Sequence, residues 1–217
     1  MSKSIYSLVL SDDVVDAVDA LANSSGISRS AMVNRILAER VAYTTPEMRL
    51  EEILESLARS MNGAFMLAEK PSGGTLSART SLKYRYKPTV KYSVEIFTEN
   101  GHRAGKMRVS FRTQNAQLLE DLTGFFKCWA ALEQRYIADK LSEDIIYTIS
   151  DGQFKRTLNM PDGNISDERL GTAVADYMAM FDGAMKAYFF RLPDIGEAKF
   201  AAEEYYKQEL LKQSVVV

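Results

Sequence analysis

Basic side chains alternate with aromatic ones over a short stretch near the middle of the chain. Lys83, Arg85 and Lys87 are separated by Tyr84 and Tyr86. On a β-strand, this alternation places the three cations on one face and the two rings on the other. Cations of this kind bind phosphate groups, and aromatic rings stack on unpaired bases. The pattern indicates a candidate DNA-binding strand, and it fits equally an amphipathic strand whose tyrosines pack inward.

The distribution of charge is informative because the total is close to zero. The chain has 217 residues and a formal net charge of −2. By segment, the net charge is −3 over residues 1–60, +6 over 61–120 and −5 over 121–217. Further cations in the middle segment are Arg79, Lys91, Arg103, Lys106, Arg108 and Arg112. We therefore expect any strongly bound nucleic acid to contact the middle segment.

The sequence shows no spacing typical of a catalytic or metal centre. One His and one Cys cannot supply a usual zinc ligand set, and Cys128 alone cannot form an internal disulfide. The acidic residues Asp139, Glu143 and Asp144 have no partner set for acid–base catalysis or metal ligation. We therefore predict no catalytic residue, no metal, no cofactor and no enzymatic activity.

The hydropathy of the chain and the charges near its N-terminus indicate the cellular compartment in which we expect the protein. Stretches free of charged residues are far shorter than the roughly 20 residues that span a bilayer. Asp12, Asp13 and Asp16 interrupt the N-terminal segment too early for a secretory signal. We therefore expect a cytoplasmic protein with no membrane partner.

The first forty residues have the pattern of one strand and two helices. Residues 5–10 form a short β-rich run, and Ser11 can cap a helix that ends at Gly26. Ser28 can cap a second helix. Because a single exposed strand is unstable, the run at 5–10 requires a partner. Pairing with the same strand of a second copy would form a twofold-symmetric antiparallel ribbon.

Four pieces of this region occur in a fixed order and spacing. They are Ile5–Leu10, Ser11–Asp13, Leu21–Ala22 and Gly26–Met32. Together they resemble the ribbon-helix-helix (MetJ/Arc/CopG-type) superfamily of DNA-binding proteins, over about residues 3–43. The resemblance implies an obligate homodimer whose β-ribbon enters the major groove of double-stranded DNA.

The resemblance also implies roles for individual residues. When Leu10 is aligned with the last buried strand residue of the family, the strand face that carries Leu10 points into the core of the dimer. The implied dimer core consists of Tyr6, Leu8, Leu10, Val18, Met32 and Ile36. The implied base-reading residues of the ribbon are Lys3, Ile5, Ser7 and Val9. Ser28, Arg29 and Ser30, at the start of the second helix, are the implied phosphate clamp.

The outward strand face departs from the family pattern. Typical members carry Arg, Lys, Asn, Gln or Thr there, because the major groove presents hydrogen-bonding edges. This chain offers Ile5, Ser7 and Val9, with only Lys3 as a nearby cation. Apolar side chains can contact thymine methyl groups, and a serine can bond either type of edge. An alternative interpretation is that the ribbon serves dimerisation alone.

The remaining residues indicate an α+β fold with an antiparallel sheet. We predict a first domain at 1–65 that includes an extra helix, a linker at 66–80 and a second domain at 81–217. Two hairpin-plus-helix units and a last helix account for the second domain. Their strands are expected near 83–98, 105–113, 144–150 and 153–158, and their helices near 115–138, 167–190 and 196–212.

Three functions are compatible with these patterns. The first is a homodimeric, sequence-specific DNA-binding regulator, typically a transcriptional repressor. The second is a DNA adaptor for plasmid partition or conjugation. The third is an antitoxin-like module in which the ribbon only dimerises and long apolar helices bind a protein. The expected partners are double-stranded DNA, a second copy or a higher even-numbered oligomer, and a candidate protein partner at 81–217.

Overall fold

The computed structural model describes residues 4–61, 63, 65–68, 73–84, 87–97 and 101–217. The chain forms two compact units, Met1–Met48 and Arg49–Val217. Within the described ranges, no helix combines the length and the apolar character that crossing a membrane requires.

The first unit contains two helices, α1 (Asp12–Ser25) and α2 (Arg29–Arg40). Ser11 precedes α1 as predicted, but its side chain makes no capping hydrogen bond. Two aspartates in the first turn of α1 complement the helix dipole. Gly26 ends α1 with a φ of 67°, a left-handed conformation that glycine adopts without strain. The Ser28 hydroxyl oxygen accepts a hydrogen bond from the Ala31 N–H at 3.2 Å and so caps α2. Both helices lie where the sequence predicts them.

Helix α3 (Pro46–Ser60) begins in the first unit and continues into the second. Its first turn is capped by Thr45, whose hydroxyl accepts from the Met48 N–H at 3.2 Å. The first unit ends at Met48, before the boundary expected at residue 65, because most of α3 packs with the second unit. The Ser56 hydroxyl donates to the Glu168 carbonyl at 2.7 Å.

The second unit combines a six-stranded antiparallel sheet with helices, which confirms the predicted α+β class. Its strands are β1 (Met66–Leu67), β2 (Thr75–Ser81), β3 (Thr89–Ile96), β4 (Arg103–Phe111), β5 (Tyr147–Ser150) and β6 (Gln153–Asn159). Its further helices are α4 (Ala116–Tyr136), α5 (Asp167–Arg191) and α6 (Ile195–Leu210). The strand order is β1-β2-β3-β4-β6-β5, so β4 and β6 join the two predicted hairpins.

The stretch expected to be a linker, 66–80, instead contributes β1 and most of β2. Its serines, threonines and glycines have the composition of a linker, but Leu76, Ala78 and Thr80 alternate as buried residues. A two-residue period of this kind marks a strand with one buried face. Because the side chains of β2 are mostly small and polar, its amino-acid composition resembles that of a linker and does not reveal the alternation of buried and exposed residues.

The hydrophobic core of the second unit lies on one face of the sheet. Strand register aligns Leu76, Val94 and Met107 in one buried row. Helices cover this face, and the ring of Phe126 on α4 stacks on Phe154 of β6 at 5.3 Å between centroids. The alternate residues of each strand point away from the core, so packing decides which side chains face outward.

A buried ion pair continues the same row into β6. A guanidinium nitrogen of Arg156 lies 3.0 Å from a carboxylate oxygen of Glu133 on α4, and both side chains are fully buried. The guanidinium also lies 4.5 Å from the ring centroid of Tyr177 on α5. Burial raises the pKa of Glu133, and the charge of Arg156 opposes that rise. The pair therefore fixes β6 against two helices with Arg156 inward.

Removing one partner of this pair should destabilise the second unit strongly. We expect Arg156→Met to lower the free energy of unfolding by about 3–5 kcal/mol, because the carboxylate is left buried without its counter-charge. Urea denaturation followed by Trp129 fluorescence measures the change. The double substitution Glu133→Leu/Arg156→Met should recover most of the loss, since no charge remains buried. A single variant as stable as the wild type would contradict this role for the pair.

Candidate nucleic-acid interface

The segment before α1 exposes apolar side chains that have no layer to cover them. Residues 4–10 belong to no helix or strand within the described chain, so the strand predicted at residues 5–10 is not formed in the single chain. Ile5 and Val9 are fully exposed, at 100% and 102%, and Leu8 is 61% exposed. Tyr6 and Leu10 are exposed as well. Exposed apolar side chains that lie close together are common at interaction surfaces.

The structure brings together only part of the predicted dimer core. Val18 of α1 and Met32 of α2 belong to one buried cluster between the two helices, and the partly buried Ile36 packs against this cluster. Tyr6, Leu8 and Leu10 remain exposed in the single chain. Other apolar side chains of the same unit are exposed as well: Val14, Leu21, Ile27, Leu37, Val41 and Tyr43. The sequence could not reveal which apolar side chains stay exposed, because that depends on how α1 and α2 pack.

The predicted phosphate clamp contains a carboxylate that the sequence did not reveal. Nε of Arg29 donates to a carboxylate oxygen of Asp19 at 2.6 Å, and Nη2 donates to the other oxygen. These hydrogen bonds lower the pKa of Asp19 and raise the pKa of Arg29. Asp19 lies ten residues upstream on α1, so only the packing of the two helices brings it to Arg29. The clamp cation is therefore already paired within the chain.

The serines of the clamp differ in what they do. The Ser28 hydroxyl caps α2, and its own proton remains available for donation to a phosphate oxygen. Ser30 is exposed in the first turn of α2. Free N–H groups of that turn provide an anion-binding position of the kind found at helix N-termini. Lys3, the remaining predicted ribbon residue, lies outside the described residues.

The predicted basic strand at Lys83–Lys87 is wrong where the structure describes it. Lys83 and Lys87 lie in the connection between β2 and β3, and β3 begins only at Thr89. Lys87 has a φ of 42°, which is incompatible with a strand, and Pro88 follows it. Arg85 lies outside the described residues.

Tyr84, in the same connection, packs inward rather than presenting a stacking platform. Its hydroxyl donates to a carboxylate oxygen of Asp121 at 2.9 Å. Its ring lies edge-on to Phe189, with centroids 5.5 Å apart. A side chain held in this way is not available to stack on a base.

Other parts of the second unit offer little for binding a small molecule or a metal. No group of three His, Cys, Asp or Glu side chains suited to a metal ion occurs within the described ranges. A shallow groove of about 290 Å³ lies between α5 and α6, lined in part by Arg191, Phe200 and Glu204. A second open groove, of about 460 Å³, lies beside α4. The candidate interface therefore consists of surface residues rather than an enclosed site.

In comparisons with known proteins, no family model, curated protein or solved structure matched this chain.

Proposed function

We propose that the protein is a homodimeric, sequence-specific DNA-binding protein that acts as a transcriptional repressor. One observation carries the proposal: an exposed apolar segment, residues 4–10, directly precedes two capped helices. This order is that of the ribbon-helix-helix superfamily, which the motif at about residues 3–43 resembles.

A second copy of the chain would supply the segment at residues 4–10 with strand hydrogen bonds and with cover for its apolar side chains. An isolated strand leaves its N–H and C=O groups without strand partners, and pairing with an identical strand supplies them. The same pairing covers Tyr6, Leu8 and Leu10 when these face the helices of the dimer. Burial of such side chains stabilises by about 1.5–3 kcal/mol each. Both requirements are met by one twofold interface.

In such a ribbon, alternation leaves Ile5, Ser7 and Val9 on the outer face. Ser7 supplies a hydrogen bond to a base edge, and the two apolar side chains suit thymine methyl groups. The N-terminus of α2, with Ser28 and Ser30, supplies the backbone position for a phosphate. Base reading by this face is sparse, so phosphate contacts must contribute much of the affinity.

The first prediction concerns sequence readout. Selection of duplexes from random DNA by the full-length protein should enrich one family of sites. Ser7→Ala should weaken binding to those sites by about 2- to 12-fold, the value of one hydrogen bond. Ser24→Ala, an exposed serine of α1 that bonds within its own helix, is the matched control and should leave affinity unchanged. Absence of any enriched site and of salt-dependent duplex binding would overturn the proposal.

The second prediction concerns the Asp19–Arg29 pair. Asp19 competes with a phosphate for Arg29, so Asp19→Asn should strengthen duplex binding several-fold. Asp16→Asn removes the same charge from the same helix without releasing the paired guanidinium, and it should have the smaller effect. Binding titrations at one fixed salt concentration compare the two variants. Equal effects would show that only net charge matters, and a larger effect of Asp16→Asn would contradict the competition.

A second function has an observation of its own. The acidic net charge of residues 1–60 and the paired state of Arg29 favour an antitoxin-like module, in which the ribbon only dimerises. In that case Ser7→Ala combined with Arg29→Ala would not change any duplex binding that the protein shows. A loss of binding in the double variant would instead favour the repressor or a partition or conjugation adaptor.

A further inference from the structure

The outward face of the sheet in the second unit carries a band of cations that the sequence did not reveal as a unit. Arg79 of β2 lies directly opposite Lys91 of β3, and Arg108 of β4 lies directly opposite Lys155 of β6. Lys91 and Arg108 are diagonal neighbours, because Lys91 pairs with Ser110. These four residues, the cationic band, cross four adjacent strands over about 14 Å, given strand spacings of about 4.8 Å.

The cationic band lies on the face opposite the core. The buried strand residues of the second unit occupy the alternate positions, beneath the helices. Arg79, Lys91 and Arg108 are exposed, and Lys155 is half-buried. The described outward positions of β2, β3, β4 and β6 carry no buried apolar residue. The band is therefore a surface rather than part of the packing.

The charges of the cationic band are not compensated within the described chain. None of its four members forms an ion pair with a described residue, whereas Lys106 on the same face pairs with Glu95 at 2.8 Å. Glu95 is the single carboxylate among the outward positions of β2, β3, β4 and β6. Like charges placed directly opposite each other destabilise a strand pair. Two such pairs in one band indicate a surface suited to a polyanion.

The surrounding residues narrow the kind of polyanion. Ser77, Ser93 and Ser110 lie between the cations, and their hydroxyls can donate to phosphate oxygens. Within these four strands the outward positions carry no aromatic ring. The ring of Phe97, directly after β3, lies 5.6 Å from the Lys106 ammonium, so the cations of the band have no described aromatic ring between them on which bases could stack. The outward positions also carry no large apolar side chain of the kind that inserts into a lipid surface, and Met66 of β1, opposite Arg79, is a single exposed apolar side chain beside the band.

We propose that the cationic band binds the phosphate backbone of double-stranded DNA independently of base sequence. The inference rests on the proposed function, because it takes duplex DNA as the partner. It adds a second contact surface, in a different unit from the ribbon, and assigns to it the sequence-independent part of the affinity. Because residues 1–60 carry a net negative charge, the sequence-independent attraction to phosphate must come from other residues of the chain.

The test uses the full chain and a duplex of random sequence. The observed affinity constant is measured at several salt concentrations for the wild type and for Arg108→Gln/Lys155→Gln. Each lost phosphate contact reduces the slope of log affinity against log salt by about 0.9, so we expect a decrease of about 2. Lys127→Gln/Lys199→Gln removes two exposed charges from α4 and α6 and should keep the wild-type slope. Thermal unfolding confirms that each variant remains folded.

The outcomes separate this inference from the proposed function. A reduced slope for Arg108→Gln/Lys155→Gln supports the band even if selection enriches no sequence, in which case the sequence-specific function fails alone. An unchanged slope in a folded variant overturns the band even if a site is enriched. Tighter binding to single-stranded DNA, or binding to phosphatidylserine vesicles without duplex binding, also overturns it.

Discussion

The two-residue alternation of the strands is the constraint on which the second unit depends. Each of β2, β3, β4 and β6 presents one set of side chains to the helices and the other set to the outside. A slip of one residue would exchange the two sets, so core packing fixes the register. Arg156 faces inward onto Glu133, and this contact helps to hold its neighbour Lys155 on the outward face. The same packing that stabilises the sheet thus assembles the cationic band.

In the first unit, residues 4–10 belong to no strand, and their apolar side chains are exposed in the single chain. In the proposed dimer, pairing with a second copy would turn one face of this segment to the helices and the other outward. Under the two proposals, the ribbon would contribute sparse sequence readout, and the cationic band of the sheet would contribute charge.

Local signals predicted much of the fold, and long-range contacts account for what they missed. Gly26 predicted the end of α1 and Ser28 the start of α2, because helix caps depend on a few adjacent residues. The strand expected at Lys83–Lys87 is not formed, because Lys87 has a left-handed backbone conformation and Pro88 follows it, and β3 begins only at Thr89. The pairing of Arg29 with Asp19, and of Arg108 opposite Lys155, arises only when separate elements meet. Lys155 was also concealed by the net −5 of the segment that contains it.

The central claim is a twofold dimer formed through the segment before α1, and sedimentation equilibrium of adjacent variants tests it most directly. Leu8 and Val9 are both exposed in the single chain. The proposed ribbon would bury Leu8 and leave Val9 outside. The wild type and Val9→Asp should sediment at about twice the chain mass of 24.4 kDa, and Leu8→Asp should sediment at the mass of one chain. A monomeric wild type, or a dimer lost in Val9→Asp and kept in Leu8→Asp, would contradict the account.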